Sequence, residues 1–218
     1  MSADAAFRRE LNRRSSDPSR RHWVFVPYDQ LTDEIGPLSR LEPEGAGIVL
    51  VESGWKAARR PYHKQKLALI LASQRHFALE QAARGVAVRY RATRLPYAAA
   101  LREEIHELGP LAVMEPAERE LRANLTPLVK AGLLDVGPHE GWITAPEDFD
   151  ASQSPHPPWR MDAFYRHVRR ETGLLMDDGR PEGGKYSYDV ENRRPWRGEP
   201  EAPEPLEFPV DPIKEEVA

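Results

Sequence analysis

The chain has 218 residues, of which 40% are hydrophobic and 30% charged, with 21 prolines and no cysteine. That length suits one domain, or one domain with a substantial appendage, and the lack of cysteine excludes disulfides, thiolate metal sites and an iron–sulfur cluster held by these residues. A net charge of −4 makes no global case for nucleic acid; no apolar run reaches the roughly 20 residues that cross a bilayer, and residues 1–21 lack the hydrophobic stretch of a secretory signal, so a cytoplasmic protein is expected.

Residues 1–21 carry six arginines against Asp4, Glu10 and Asp17, which reads as a solvated, disordered basic arm. Ordered structure is expected to begin at 22–27, where Trp23, Val24, Phe25 and Val26 run unbroken to Pro27. Continuous apolar character over so few residues suits a strand buried on both faces. Residues 46–51 repeat the pattern, entered through Gly45 and Gly47. A long helix then starts at Pro61, a residue at ease in a first helical position. It runs through Leu67, Ile70, Leu71, Ala78 and Ala82 to Gly85.

Residues 86–90 form the third expected strand. A helix over 97–108 ends at Gly109-Pro110, a strand covers 111–114, a helix over 117–131 stops at Gly132, and a fifth strand over 133–136 closes at Gly137-Pro138. This alternation with short connections predicts an α/β fold over residues 22–138: a Rossmann-like, doubly wound, five-stranded parallel sheet with flanking helices. Beyond Pro138, Ser154-Pro155-His156-Pro157-Pro158 and the prolines between 195 and 212 cannot continue a helix or sheet. Residues 139–218 are expected to be a Pro-rich, linker-like extension, too sparse in apolar residues for a core, with one helix over 160–172 capped by Gly173. Its end, from Arg197, carries seven acids against Arg197 and Lys214 and reads as a solvated tail.

In an open α/β sheet, ligands gather at the carboxyl ends of the strands, near the point where strand order reverses. Here those ends offer Tyr28, Asp29 and Gln30, then Glu52 and Trp55, then Glu115 and Glu118. The acids and the amide can donate or accept, and Tyr28 and Trp55 present flat faces. Such a mouth suits a polar heteroaromatic ligand, although each acid or amide can equally cap the helix that follows it. Lys56, Arg59, Arg60, His63, Lys64 and Lys66 crowd the start of the long helix. Cations there oppose the macrodipole, and a bound anion, a nearby acid cluster or plain solvation offsets the repulsion. No G-x-G-x-x-G follows the first strand, which argues against a nicotinamide site. Residues 179–185 match the spacing of a phosphate loop, but Tyr186 stands where Ser or Thr is needed and no strand precedes them. The seven histidines show no zinc-ligand pattern, and no metal is expected.

Two stretches carry a family resemblance. One is Glu52-Ser53-Gly54-Trp55-Lys56-Ala57-Ala58-Arg59-Arg60-Pro61-Tyr62-His63, continuing to Ser73-Gln74-Arg75-His76-Phe77-Ala78. The other is Met161-Asp162-Ala163-Phe164-Tyr165-Arg166, with Thr172-Gly173-Leu174-Leu175-Met176-Asp177, Pro181-Glu182-Gly183-Gly184-Lys185 and Asp189-Val190-Glu191-Asn192-Arg193. With Asp29-Gln30-Leu31, they resemble the deoxyribodipyrimidine photolyase-related proteins, the iron–sulfur bacterial cryptochromes and photolyases, from about Trp23 to Trp196.

The resemblance implies an antenna-type α/β half and linker, associated with light-dependent DNA repair or light sensing. FAD and a four-cysteine iron–sulfur cluster belong to a helical half that this chain does not resemble. It also implies a pocket for 6,7-dimethyl-8-ribityllumazine, or another planar chromophore or nucleotide, between the first two strands, lined by Asp29 and residues from Glu52 to Arg59. Lys56 and Arg59 stand where lumazine-binding members tend to carry an acid and an aromatic, and a cationic mouth suits a phosphorylated ligand better, or leaves the pocket empty. The expected site is Tyr28, Asp29, Gln30, Glu52, Trp55, Lys56, Arg59, His63, Glu115 and Glu118, with no catalytic residue. The chain is then a binding module that docks a separately encoded flavin-bearing helical domain, without contacting DNA or membrane itself. The alternatives are one half of a split photolyase, or a ligand-free remnant.

Overall fold

Trp23 and Phe25 alternate with Val24 and Val26, so the first apolar run serves two cores, one on each face of a sheet. The computed structural model describes residues 5–190 and 195–218; Glu191, Asn192 and Arg193 of the resemblance motif, and Asp4 of the basic arm, lie outside them. In chain order the elements are α1 (Ala5–Arg13), β1 (His22–Phe25), β2 (Ala46–Ser53), α2 (Gly54–Ala58), α3 (Lys64–Ala83), β3 (Ala87–Thr93), α4 (Tyr97–Leu108), β4 (Leu111–Met114), α5 (Arg119–Lys130), β5 (Leu134–Gly137), α6 (Pro146–Ser152), α7 (Met161–Thr172), β6 (Met176–Asp177), β7 (Arg180–Pro181) and α8 (Pro212–Val217). They fall into two units, one reaching Gly141 and taking in Phe208–Ala218, the other Trp142–Glu207.

In the first unit the five strands run parallel in the order β3-β2-β1-β4-β5. This is the doubly wound α/β arrangement that the alternation of elements predicts. One face buries Val24, Ile48, Leu50 and Val86 under α1, α3 and α8; the other buries Phe25, Val49, Val51 and Val113 under α4 and α5. The segment between β1 and β2 holds two single 3-10 turns, Pro37–Arg40 and Pro43–Gly45, so no α-helix starts directly after β1. No helix among the described residues is long and apolar enough to cross a membrane.

Four expectations need correction. The first 21 residues are not a solvated arm throughout: residues 5–13 form α1, whose Phe7 and Leu11 are buried four residues apart on one face. Arg8 of α1 and Arg14 just after it serve as anchors, since Arg8 Nη1 donates to the Tyr90 carbonyl at 2.8 Å and Arg14 Nη1 to the Leu79 carbonyl at 3.0 Å. The acidic end is not solvated throughout either. Asp211 caps α8 by accepting from the Ile213 and Lys214 amides at 3.0 Å each, and Ile213 is buried against the α1 and α3 side chains. Glu216 accepts from the Ala6 and Phe7 amides, so the acid satisfies the free N–H groups of α1.

The third correction concerns the long helix, which starts at Lys64 rather than Pro61. Ser53 Oγ accepts from the Lys56 amide at 3.3 Å and starts the short α2, while Pro61 lies in the turn after it. A proline disfavours helical geometry in the residue before it, which separates the two helices. His63 Nδ1 then caps α3 through the Gln65 amide at 3.3 Å.

The second unit has more organisation than a linker with one helix. Phe149 of α6 meets Trp159 and Phe164 edge-on at 6.1 and 5.6 Å, and β6 and β7 pair as a minimal antiparallel hairpin. The buried Arg169 lies over the rings of Tyr165 and Tyr186 at 5.5 and 5.2 Å. Aromatic faces and carbonyls around one guanidinium thus replace the aliphatic residues that the sequence lacks here. Helix α7 covers the expected span, and Gly173 closes it in the left-handed conformation at φ 70°.

Gly47 of β2 pairs directly with Trp23 of β1, and a Cβ at Gly47 would lie 2.6 Å from the indole ring. The indole needs that gap to lie flat in the core. Gly47→Ala is expected to cost about 1–3 kcal/mol through overpacking, read as a lowered denaturation midpoint, and the added change Trp23→Leu is expected to recover part of the loss.

Candidate functional site

Strand order reverses between β1 and β4, and their carboxyl ends share an edge of the sheet with that of β2. A cavity of about 140 Å³ opens there, room for a ring system rather than the roughly 300–1,000 Å³ of a large ligand site. Tyr28 enters from the end of β1, Glu52 and Ser53 from the end of β2, Tyr97 from the start of α4, and Glu118 from the residue before α5. The remaining wall is the leading half of α3. Its Leu67, Ile70, Leu71 and Gln74 recur at helical spacing and present one face to the cavity.

The two halves of α3 have different surroundings. Phe77, Ala78 and Ala82 are buried against the sheet, whereas Leu67, Ile70 and Leu71 are only half-buried because the sheet edge ends beneath them. Opposite stand the rings of Tyr28 and Tyr97, with centroids 6.2 Å apart and planes inclined by 30°, and Tyr62 joins them at the rim. Half-covered aliphatic groups facing aromatic rings form a slot for a flat, largely apolar body.

The polar side is organised by Glu118. Its carboxylate accepts from the Tyr28 hydroxyl at 2.5 Å and from the Lys56 ammonium. Lys56 also donates to Glu120 at 2.9 Å, and Glu120 pairs in turn with Arg60. Burial works against the Lys56 charge, but the bonds to Glu118 and Glu120 outweigh it and hold the ammonium above the ordinary lysine pKa. Burial pushes the Tyr28 phenol well above its usual range, and the hydrogen bond and charge of Glu118 push further. Tyr97 is raised by burial, with the negative charges of Glu118 and Asp29 adding to it. Gln74 donates its amide hydrogen to the Val51 carbonyl at 3.0 Å, which leaves the carboxamide oxygen as an acceptor for a ligand.

Of the ten residues singled out from sequence, Tyr28, Glu52, Lys56 and Glu118 line this cavity. Glu52 does so with its carboxylate engaged by Arg75, at 3.1 and 3.2 Å, and by the Tyr90 hydroxyl at 2.7 Å. The other six lie elsewhere. Trp55 stacks under the Arg59 guanidinium at 4.6 Å on α2, and His63 is exposed as the cap of α3. Asp29 is exposed, with a carboxyl whose pKa is raised by partial desolvation and by the charge of Glu118. Gln30 turns under the sheet edge, where it is buried and donates to the Glu115 carbonyl at 2.8 Å. Glu115 is exposed, its carboxylate 3.8 Å from Arg122.

The expected cationic mouth is not what the side chains build. The carboxylates of Glu118 and Glu120 hold Lys56, Glu120 holds Arg60, and Arg59 is spent on the face of Trp55. Ser53 falls within the 52–59 stretch that the resemblance implies, whereas Tyr62, Tyr97 and the α3 wall are not among the residues singled out from sequence. Tyr97 carried a usable signal, since it opens a helix just after a strand end. The α3 residues show in sequence only as a helical repeat, and spacing alone does not say where along a helix the sheet stops.

A family model described as deoxyribodipyrimidine photo-lyase-related protein matches residues 24–218. A (6-4) photolyase of Agrobacterium fabrum (strain C58 / ATCC 33970) is 32% identical over 205 residues, covering 89% of this chain and 40% of the relative. The chain therefore spans less than half the length of that relative.

The Glu118 contact makes a spectroscopic prediction. Tyr28, Tyr90 and Tyr97 are expected to stay protonated through the normal phenol range near pH 10, seen as constant ring-carbon shifts in tyrosine-labelled NMR. Because Glu118 disfavours the phenolate, Glu118→Ala should lower the Tyr28 pKa and bring its titration toward that range, while Tyr90 stays silent.

Proposed function

Given that the chain belongs to the deoxyribodipyrimidine photo-lyase-related family, we propose that its α/β unit is an antenna-type module whose cavity binds a planar heteroaromatic chromophore. The observation that carries this reading is the half-covered wall of α3 facing the rings of Tyr28 and Tyr97 at the carboxyl edge of the sheet. A compound such as 6,7-dimethyl-8-ribityllumazine fits that donor set: a flat ring system for the slot, and ring heteroatoms for Ser53, Gln74, Lys56 and Glu118. When bound, such a compound supplies absorption of near-ultraviolet and blue light.

The chain's own residues bind and orient it. Leu67, Ile70 and Leu71 remove water from one ring face, and burial of their remaining apolar area contributes about 25 cal/mol per Å². Tyr28 is locked by its bond to Glu118, so its ring is fixed before any ligand arrives, which reduces the ordering cost of binding. The light-driven activity that this module would serve, DNA repair or light sensing, belongs in the same reading to a flavin-bearing helical region, on this polypeptide beyond the 218 residues or on a separate one.

Purified chain titrated with 6,7-dimethyl-8-ribityllumazine is expected to quench or shift the ligand's fluorescence at saturation with one site. Ile70→Trp, which fills the slot from a half-buried position, should weaken binding by about tenfold or more with the far-ultraviolet circular dichroism unchanged. A titration without any saturable signal would count for a ligand-free domain instead.

A further inference from the structure

In doubly wound folds a phosphate group is held by two features at the carboxyl edge of the sheet: a helix N-terminus and a nearby cation. Here no α-helix follows β1. The starts of α2, α3 and α4 border the cavity, each with an amide taken by a protein side chain: Ser53 on Lys56, His63 on Gln65 and Asn124 on Ala98. The start of α5 borders it too, with Glu118 in the residue before the helix and Glu120 in its first turn. Those two carboxylates already stand where the positive end of the helix would draw an anion. They also hold the inner cation, since Lys56, its side chain 13% exposed, pairs with both. At the α5 start, the helix terminus and the inner cation are therefore both taken by the protein's own acids. Lys66, at the rim, has no carboxylate partner among the described residues, but it is exposed and lies 6.0 Å over the Tyr62 ring, where water and salt screen its charge.

We infer that the cavity selects an uncharged planar ligand over the phosphorylated form of the same compound, and that Glu118 and Glu120 set this selectivity by occupying the Lys56 ammonium and the α5 N-terminus. The inference rests on the chromophore-binding reading above and narrows it, turning away from mononucleotides and other phosphorylated chromophores. A phosphate entering beside Lys56 meets two carboxylates, so like-charge repulsion and loss of the Lys56 pairs both oppose it. An uncharged polyol or ring edge meets the same groups as hydrogen-bond donors and acceptors without displacing them.

The test uses a matched pair of probes: 6,7-dimethyl-8-ribityllumazine and the same compound phosphorylated on its terminal ribityl hydroxyl, each titrated by fluorescence into the full chain. The unphosphorylated probe is expected to bind about tenfold tighter or more. That ratio should fall toward one, or invert, in Glu120→Gln and in Glu118→Gln. Glu147→Gln, the same charge change on α6, should leave it unmoved. Glu120 is a surface residue, so its variant keeps the test usable if Glu118→Gln disturbs folding, which thermal denaturation reports. Equal or tighter binding of the phosphorylated probe overturns the inference, as does a ratio that neither substitution changes. Failure of both probes to bind the unaltered chain instead removes the chromophore-binding reading, and this selectivity with it.

Discussion

A buried guanidinium cannot shed its charge, so whatever surrounds it must supply carboxylates and keep them in place. Arg75 of α3 is in that position, with a side chain 4% exposed. Glu52, from the end of β2, meets it at 3.1 Å, and Glu216, from α8, at 3.3 Å; the ring of Phe7 lies beneath it at 5.4 Å. One side chain thus joins the carboxyl edge of the sheet, the central helix and both terminal helices. Removing one partner of such a group is costly, about 3–5 kcal/mol in comparable buried pairs, and this binds the terminal segments to the fold.

That arrangement reaches the candidate site. Glu52 lines the cavity, yet its carboxylate serves Arg75 and the Tyr90 hydroxyl. The acid that addresses the cavity is Glu118, which positions Tyr28 and Lys56. Two acids at the carboxyl edge of the sheet therefore divide the work: one fixes the layer behind the wall, the other fixes the groups in front of it. The division follows from position, since β2 runs alongside α3 while the β4–α5 connection faces α2.

Charge placement also revises what the site is suited to hold. Counted along the chain, Lys56, Arg59, Arg60, Lys64 and Lys66 make a basic segment. In space, Lys56 and Arg60 are tied to Glu118 and Glu120 and Arg59 to Trp55, so the cavity meets a paired ammonium rather than a free one. What remains for recognition is shape: an aliphatic helix face, tyrosine rings, and a small set of oriented donors and acceptors. In a chain of the photolyase-related family, this geometry is what supports the proposed flat ligand.

The parallel sheet was legible because a strand covered on both faces must be apolar along its length, as Trp23–Val26 and residues 46–51 are, and short apolar runs alternating with helices and punctuated by Gly and Pro leave few other folds. The bounds of α4 and β4 follow from the same signals, with Gly109-Pro110 closing one and opening the other. Local sequence also located the strand ends, and so named Tyr28, Glu52 and Glu118. It could not name the partners. Phe7 and Leu11 lie among arginines, and Ile213 among acids, so composition hides a buried face that only a packed sheet makes worthwhile. Likewise a salt bridge between residues 56 and 118 leaves no trace in either neighbourhood. Tertiary structure alone decided which cations were neutralised, because charge pairing depends on distance through space, whereas hydrophobic periodicity depends only on distance along the chain.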